Sequence, residues 1–226
     1  MADASARDHR RRFLELALQA QALRFGAFTL KSGRQSPYFF NAGRFDHGSA
    51  LATLAGCYAD AIDAAGVDFD CLFGPAYKGI PLATALACEY ARRGRDLPVA
   101  FNRKEAKAHG EGGSLIGAPL AGRRVLVVDD VVTAGTAVRE ALATIAAAGG
   151  NVVALAIALD RQETVAPGDP RSATQALAED AGIAVVAVAG LDDLLAFASE
   201  SGELGGERER LVEYRERFGC RTGAAR

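Results

Sequence analysis

Val125-Leu126-Val127-Val128-Asp129-Asp130-Val131-Val132-Thr133-Ala134-Gly135-Thr136-Ala137 is the stretch that decides how this chain folds. Its first four residues are apolar on both faces of an extended chain, which is the pattern of a strand buried inside a parallel sheet. The run stops at two adjacent carboxylates, and a turn of small and hydroxyl residues then opens a helix. That order leaves free backbone N–H groups and the positive helix end beside the turn, where a phosphate is stabilised. Thr133 and Thr136 add hydroxyl donors, and Ala134 and Gly135 let the main chain come close to an anion. Asp129 and Asp130 would repel the phosphate itself, so they suit sugar hydroxyls, or the waters of a bound Mg²⁺. An Asp pair can also simply cap a helix, but both acids precede a Thr-Ala-Gly-Thr turn after a buried strand. The combination describes a holder for a 5′-phosphorylated sugar.

Working outward, the same rhythm recurs. Strand-like runs at Phe69–Phe73, Val99–Phe101, Val152–Leu159 and Ile183–Val188 alternate with helical stretches near Pro81–Arg93, Gly135–Ala148 and Thr174–Ala181. This predicts an α/β fold, an open and mostly parallel sheet flanked by helices. A helix is expected over Asp8–Phe25, closed by Gly26, then a hairpin or loop over Phe28–Arg44, a helix over Ser49–Ala65, and two short helices at Leu191–Ser199 and Glu207–Arg217. The organisation expected is an N-terminal hood or flap, 1–45, over a core with C-terminal helices, 46–226, as a single structural unit. Asn102–Ala121 breaks the rhythm, carrying charges and glycines without apolar periodicity, and reads as a long functional loop.

The 226 residues suffice for one sizeable domain, and the net charge of −2 argues against a protein that wraps nucleic acid. Arg10-Arg11-Arg12 reads as a solvated helix face. No apolar run reaches membrane-spanning length, and Met1–Arg12 lacks a secretory apolar segment, so the expected location is the cytoplasm, with no membrane partner. Cys57, Cys71, Cys88 and Cys220 form no metal-spaced cluster and are expected as reduced, buried thiols. Only four lysines occur, Lys31, Lys78, Lys104 and Lys107, in a chain that otherwise uses arginine for positive charge.

Parallel sheets bind ligands at the carboxyl ends of their strands. Four runs end there in polar sequence: Gly74-Pro75-Ala76-Tyr77-Lys78-Gly79, the basic loop after Phe101, the Asp129–Ala137 turn, and Asp160-Arg161. The Lys78 turn suits a second anion. Arg103, Lys104, Lys107 and His109, set among glycines, make a cationic lid suited to a departing polyphosphate.

With these residues assembled, the chain resembles the type I phosphoribosyltransferases, and within them the orotate branch. Val125–Ala137 matches the superfamily signature for 5-phosphoribosyl 1-diphosphate (PRPP). Phe28–Arg34 with Ser36–Asn41, Gly74–Pro81, Asn102–Gly113 and Asp160–Glu163 resemble the orotate enzymes in order and spacing. No motif is found beyond Glu163. Ala108 departs from the polar residue common at that loop position.

The resemblance implies a PRPP site of Lys31, Tyr77, Lys78, Arg103, Lys104, Lys107, His109 and the run Asp129, Asp130, Val131, Val132, Thr133, Ala134, Gly135, Thr136 and Ala137. It implies an orotate site of Lys31, Phe39, Phe40, Thr133 and Arg161, with Arg103, Lys104, Lys107 and His109 as the catalytic loop. It further implies Mg²⁺ held mainly by the substrate, with Asp129 and Asp130 reaching it through water at most, a cis peptide near Ala76–Tyr77, and a homodimer whose flexible loop enters the neighbouring active site. The reaction implied is phosphoribosyl transfer to orotate in pyrimidine biosynthesis. The phosphate turn alone would also serve a purine or uracil enzyme, or a regulator that binds PRPP as an effector. A mobile cationic lid speaks against a pure sensor.

Overall fold

The computed structural model describes residues 2–30, 32–107, 113–132, 135–166, 168–201 and 204–220, with the side chains of 2–8, 105–107, 113 and 114 excepted. A long helix α1 (Ala2–Gln19) leads into an antiparallel hairpin, β1 (Leu23–Thr29) and β2 (Gln35–Phe40), then a 3₁₀ turn at Ala42–Arg44 and helix α2 (Gly48–Ala64). Next come β3 (Cys71–Gly74), α3 (Gly79–Arg92), β4 (Val99–Lys107), β5 (Gly113–Gly117), β6 (Arg124–Asp129), α4 (Thr136–Ala147) and β7 (Asn151–Asp160). The chain continues with α5 (Ala173–Ala181), β8 (Ala184–Gly190), α6 (Leu191–Glu200) and α7 (Gly205–Phe218).

The main sheet runs β5-β4-β3-β6-β7-β8, parallel throughout except for the β4–β5 edge pair. Period-two alternation divides its side chains between two apolar layers. Cys71, Phe73, Val125, Val127, Leu155 and Ile157 face one layer with α4 and Leu177 of α5. Leu72, Leu126, Val128, Ala154, Ala156 and Ala158 face the other, with α1, α2, α3, α6 and α7. The order of strand addition reverses between β3 and β6, with α3 and α4 on opposite faces. A crevice therefore opens where the carboxyl ends of those two strands diverge.

Two local expectations are corrected. The first helix stops at Gln19: Gln21 takes a positive φ of 53°, and Leu23 pairs with Phe40 in the hairpin, with Gly26 at a bulge. Leu23-Arg24-Phe25 also alternates with period two, and strand pairing wins over helical spacing. Second, β4 runs on to Lys107 and β5 returns antiparallel to it, so much of the expected loop is a hairpin. Only Val99, Ala100 and Phe101 pair with β3; the hairpin beyond them is not packed between two helical layers and carries no apolar pattern. Arg10, Arg11 and Arg12 keep substantial side-chain exposure, as a solvated face does, and also pair at the surface with Asp193, with Glu15 and Glu200, and with Asp60, because α1 packs against α2 and α6.

Phe13, Leu14 and Ala17 of α1 belong to the same apolar cluster as Leu54 and Tyr58 of α2, so the core is continuous across residue 45. Cys57 and Cys71 are buried, whereas Cys88 is exposed on α3 and Cys220 is half-buried. Among the described residues no helix is long and apolar enough to cross a membrane.

Candidate active site

The crevice at the strand ends is built by backbone constraints first. The turn Gly74–Gly79 folds tightly against β6: a Cβ on Gly74 would lie 2.3 Å from the Gly79 carbonyl oxygen, and one on Gly79 would lie 2.7 Å from that of Val128. Only glycine fits at either place. The Ala76–Tyr77 peptide is cis, as the resemblance implied, and the Ala76 N–H donates to Asn102 Oδ1 at 2.9 Å, tying the turn to β4.

Lys78 leaves this turn and meets Asp130 Oδ2 at 2.6 Å. Asp130 is only 6 % exposed, and its carbonyl accepts the N–H groups of Ala158 and Leu159 on β7. Asp129, the last residue of β6, accepts the Asp130 N–H on Oδ1, and its carbonyl accepts the Tyr58 hydroxyl at 2.7 Å. Burial, followed by the neighbouring charge of Asp130, raises the Asp129 carboxyl to about 6. Val131 and Val132 pack into opposite apolar layers. No side chain among the described residues caps α4 at Gly135 (φ 70°), which leaves the first N–H groups of the helix open. Thr136 and Ala137 are exposed at its start.

Beside the crevice, β4 carries Arg103, half-buried, and Lys104, whose Nζ lies 5.0 Å from the ring centre of Tyr77. Tyr77 is 68 % exposed. On the other side, Arg161 follows β7 and is only 11 % exposed. Its Nε donates to Glu163 Oε1 at 2.6 Å, and its Nη2 donates to Ser36 Oγ at 3.0 Å and to the Tyr214 hydroxyl at 3.3 Å. Its guanidinium carbon lies 4.2 Å from the ring centre of Tyr38. A cation-bearing turn, two carboxylates, an open helix end and a fixed arginine thus line one sheet edge, a constellation suited to a phosphorylated sugar beside a polar planar ring.

Residues 45–174 match the family model described as the phosphoribosyl transferase domain. The chain is 72 % identical over 215 residues to the orotate phosphoribosyltransferase of Xanthomonas axonopodis pv. citri (strain 306), covering 95 % of this chain and 98 % of that protein. The chain belongs to the orotate phosphoribosyltransferases. Its fold matches the crystal structure of the Francisella tularensis orotate phosphoribosyltransferase with a TM-score of 0.82 and 41 % identity, over 92 % of this chain and 98 % of that one. It also matches the Mycobacterium tuberculosis H37Rv orotate phosphoribosyltransferase in complex with PRPP, at a TM-score of 0.61 and 27 % identity, over 81 % and 98 %. The chain is thus a pentosyltransferase of pyrimidine biosynthesis.

The structure treats the residues of the sequence-derived site differently. Tyr77 and Lys78 follow β3, Asp129 and Asp130 stand at the end of β6, and Arg103 and Lys104 lie within β4 beyond its pairing with β3; Lys78 and Asp130 touch. Phe39 and Phe40 part company, because successive strand residues face opposite ways. Phe39 stacks on Phe28 at 5.5 Å beneath Arg24. The Phe40 side chain is core, packed against Phe13 and Phe45, which corrects its expected place at the base and leaves only its backbone for a ligand. Lys31, Ala108, His109, Thr133 and Ala134 lie outside the described residues, and Lys107 is described by its backbone alone. The sequence reading did not single out Asn102, Ser36, Tyr38, Glu163 or Tyr214. Four of these lie inside quoted segments without a role of their own, and Tyr214 stands on a helix of charged residues with no motif to mark it.

Proposed function

We propose that the enzyme transfers the 5-phosphoribosyl group of PRPP to N1 of orotate, giving orotidine 5′-phosphate and diphosphate. The observation that carries this reading is the convergence of Lys78, Asp129–Asp130 and Arg161 at the carboxyl ends of β3, β6 and β7. Asp129 and Asp130 accept the ribose 2′ and 3′ hydroxyls, and the residues opening α4, with Thr133 and Thr136, hold the 5′-phosphate. Lys78, Tyr77 and the loop cations Arg103, Lys104, Lys107 and His109 serve the diphosphate. Lys31, Thr133, Phe39, the backbone of Phe40, and Arg161 receive the base.

In the step itself the C1′–oxygen bond breaks with its electron pair leaving on diphosphate, while deprotonated N1 of orotate forms the new C1′–N bond. Positive charge grows on the ribose and negative charge on the leaving group. Stabilising that separation, together with alignment of the base, supplies the rate, and no covalent nucleophile is required. The donor set fits a Mg²⁺ ion that enters with the substrate. Asp130 is already paired with Lys78, and the described residues hold no cluster of three His, Cys, Asp or Glu side chains able to bind a metal unaided. When bound, the ion neutralises diphosphate charge. The β4–β5 hairpin, which overshoots β3, is the lid that completes the neighbouring active site in a cytoplasmic homodimer.

The test is the loss of orotate ultraviolet absorbance on mixing the protein with orotate, Mg²⁺ and PRPP, with adenine, hypoxanthine and uracil in parallel. Turnover of orotate alone is expected. Silence with orotate alongside turnover of another base would overturn the assignment of Arg161 and the hairpin to orotate.

A further inference from the structure

Arg161 is largely buried, and one edge of its guanidinium is held by side chains from distant parts of the chain. The Nε proton goes to Glu163, and Nη2 donates to both Ser36 and Tyr214. The face of Tyr38 supports the plane from one side. Among the described residues Nη1 has no hydrogen-bond acceptor. A planar fork held along its Nε/Nη2 edge cannot turn about its last bond, so the placement of the Nη1 donors is fixed.

The holders come from distant parts of the chain. Ser36 and Tyr38 belong to β2, Glu163 follows β7, and Tyr214 lies on α7. Glu163 is the hub: Oε1 also accepts the Tyr214 hydroxyl at 2.8 Å, and Oε2 accepts Arg34 Nη1 at 3.2 Å. Arg34 donates further to the Thr164 carbonyl and lies over the Phe218 ring. The end of the chain is stitched to the same place, since the Phe218 carbonyl accepts Thr164 N–H and the Gln162 carbonyl accepts Cys220 N–H.

We propose that Tyr214 of α7 and Glu163 are positioning residues that hold Arg161 with Nη1 toward the anionic edge of orotate, which makes the C-terminal helix a determinant of base recognition. This rests on the reading that Arg161 receives the base, and it gives a role to the part of the chain in which no motif is found. Neither Tyr214 nor Glu163 needs to touch the substrate; each acts by removing the alternative orientations of the arginine.

The experiment is steady-state kinetics, with orotate and PRPP varied separately, on the full-length enzyme and on Tyr214→Phe, Glu163→Gln, Arg161→Ala and the double variant Arg161→Ala/Tyr214→Phe. Tyr214→Phe removes one oxygen from the helix, so its fold is preserved. Tyr214→Phe and Glu163→Gln are each expected to raise the orotate KM about tenfold, the scale of a lost hydrogen bond to a charged group, while the PRPP KM changes less than about twofold. In the Arg161→Ala background, Tyr214→Phe should add nothing, because it acts only through the arginine. An orotate KM unchanged in Arg161→Ala would overturn the base-site reading itself. A raised orotate KM in Arg161→Ala with no change in Tyr214→Phe and Glu163→Gln would overturn the positioning role alone. So would equal increases in both KM values, or an additive effect in the double variant.

Discussion

Asp129 is a half-buried carboxylate next to another carboxylate, and its chemistry follows from that. Its folded value of about 6 stands above the ordinary 3.8, so the group favours the folded enzyme fully below the ordinary value, and that contribution is lost as pH rises through 6. Function runs the other way, because an ionised Asp129 is the better acceptor for a sugar hydroxyl. The pH profile of kcat/KM for PRPP should therefore carry an acidic limb near pH 6, falling as pH falls, and Asp129→Asn should lose both the limb and most of the activity. A profile flat between pH 5 and 8 would remove Asp129 from the ribose. The same substitution should stabilise the free protein at pH 8 by about 1 kcal/mol in urea titration, since a half-buried charge beside Asp130 is exchanged for a neutral amide.

The turn between β3 and α3 is the element on which the rest of the site depends. Gly79 lies so close to the Pro75 ring and the Val128 carbonyl, at 2.6 and 2.7 Å from where a Cβ would stand, that neither neighbour can yield without moving a strand. Gly79→Ala should cost about 2 kcal/mol in thermal or urea unfolding, within the range of overpacked cores, and should displace Lys78 from Asp130. Gly48→Ala, where a Cβ meets nothing within 4 Å at the start of α2, should be close to neutral. Equal effects at the two sites would show that the close approach at Gly79 is not constraining.

At the scale of the whole molecule, the prediction concerns how sites are shared between subunits. If the β4–β5 hairpin serves the neighbouring subunit, two inactive variants can complement each other. Lys107→Ala supplies an intact Asp129–Asp130 pair, and the double variant Asp129→Asn/Asp130→Asn supplies an intact loop. An equimolar mixture, unfolded and refolded together, should recover about one quarter of wild-type activity, since half the dimers are mixed and each has one complete site. No recovery, with mixed dimers verified by mass, would place the loop in its own subunit's site.

What the sequence determined by itself is the chemistry carried by contiguous residues. Val125–Val128 had to be a buried strand, Asp129–Asp130 had to emerge at its end, and the Gly74–Gly79 turn with Lys78 had to follow another strand at the same edge. Both turn on local pattern and on the handedness of parallel connections, which leave few ways to arrange such runs. Tertiary structure alone decided that Leu23–Phe25 pairs as a strand, that Phe40 faces the core while Phe39 does not, and that Lys78 reaches Asp130. It alone brought Tyr214 to Arg161 across 53 positions. An isolated tyrosine on a charged helix carries no pattern, because its meaning depends on what the folded chain sets against it. Hydrogen bonds among distant side chains become legible only after the apolar layers have fixed where each helix lies.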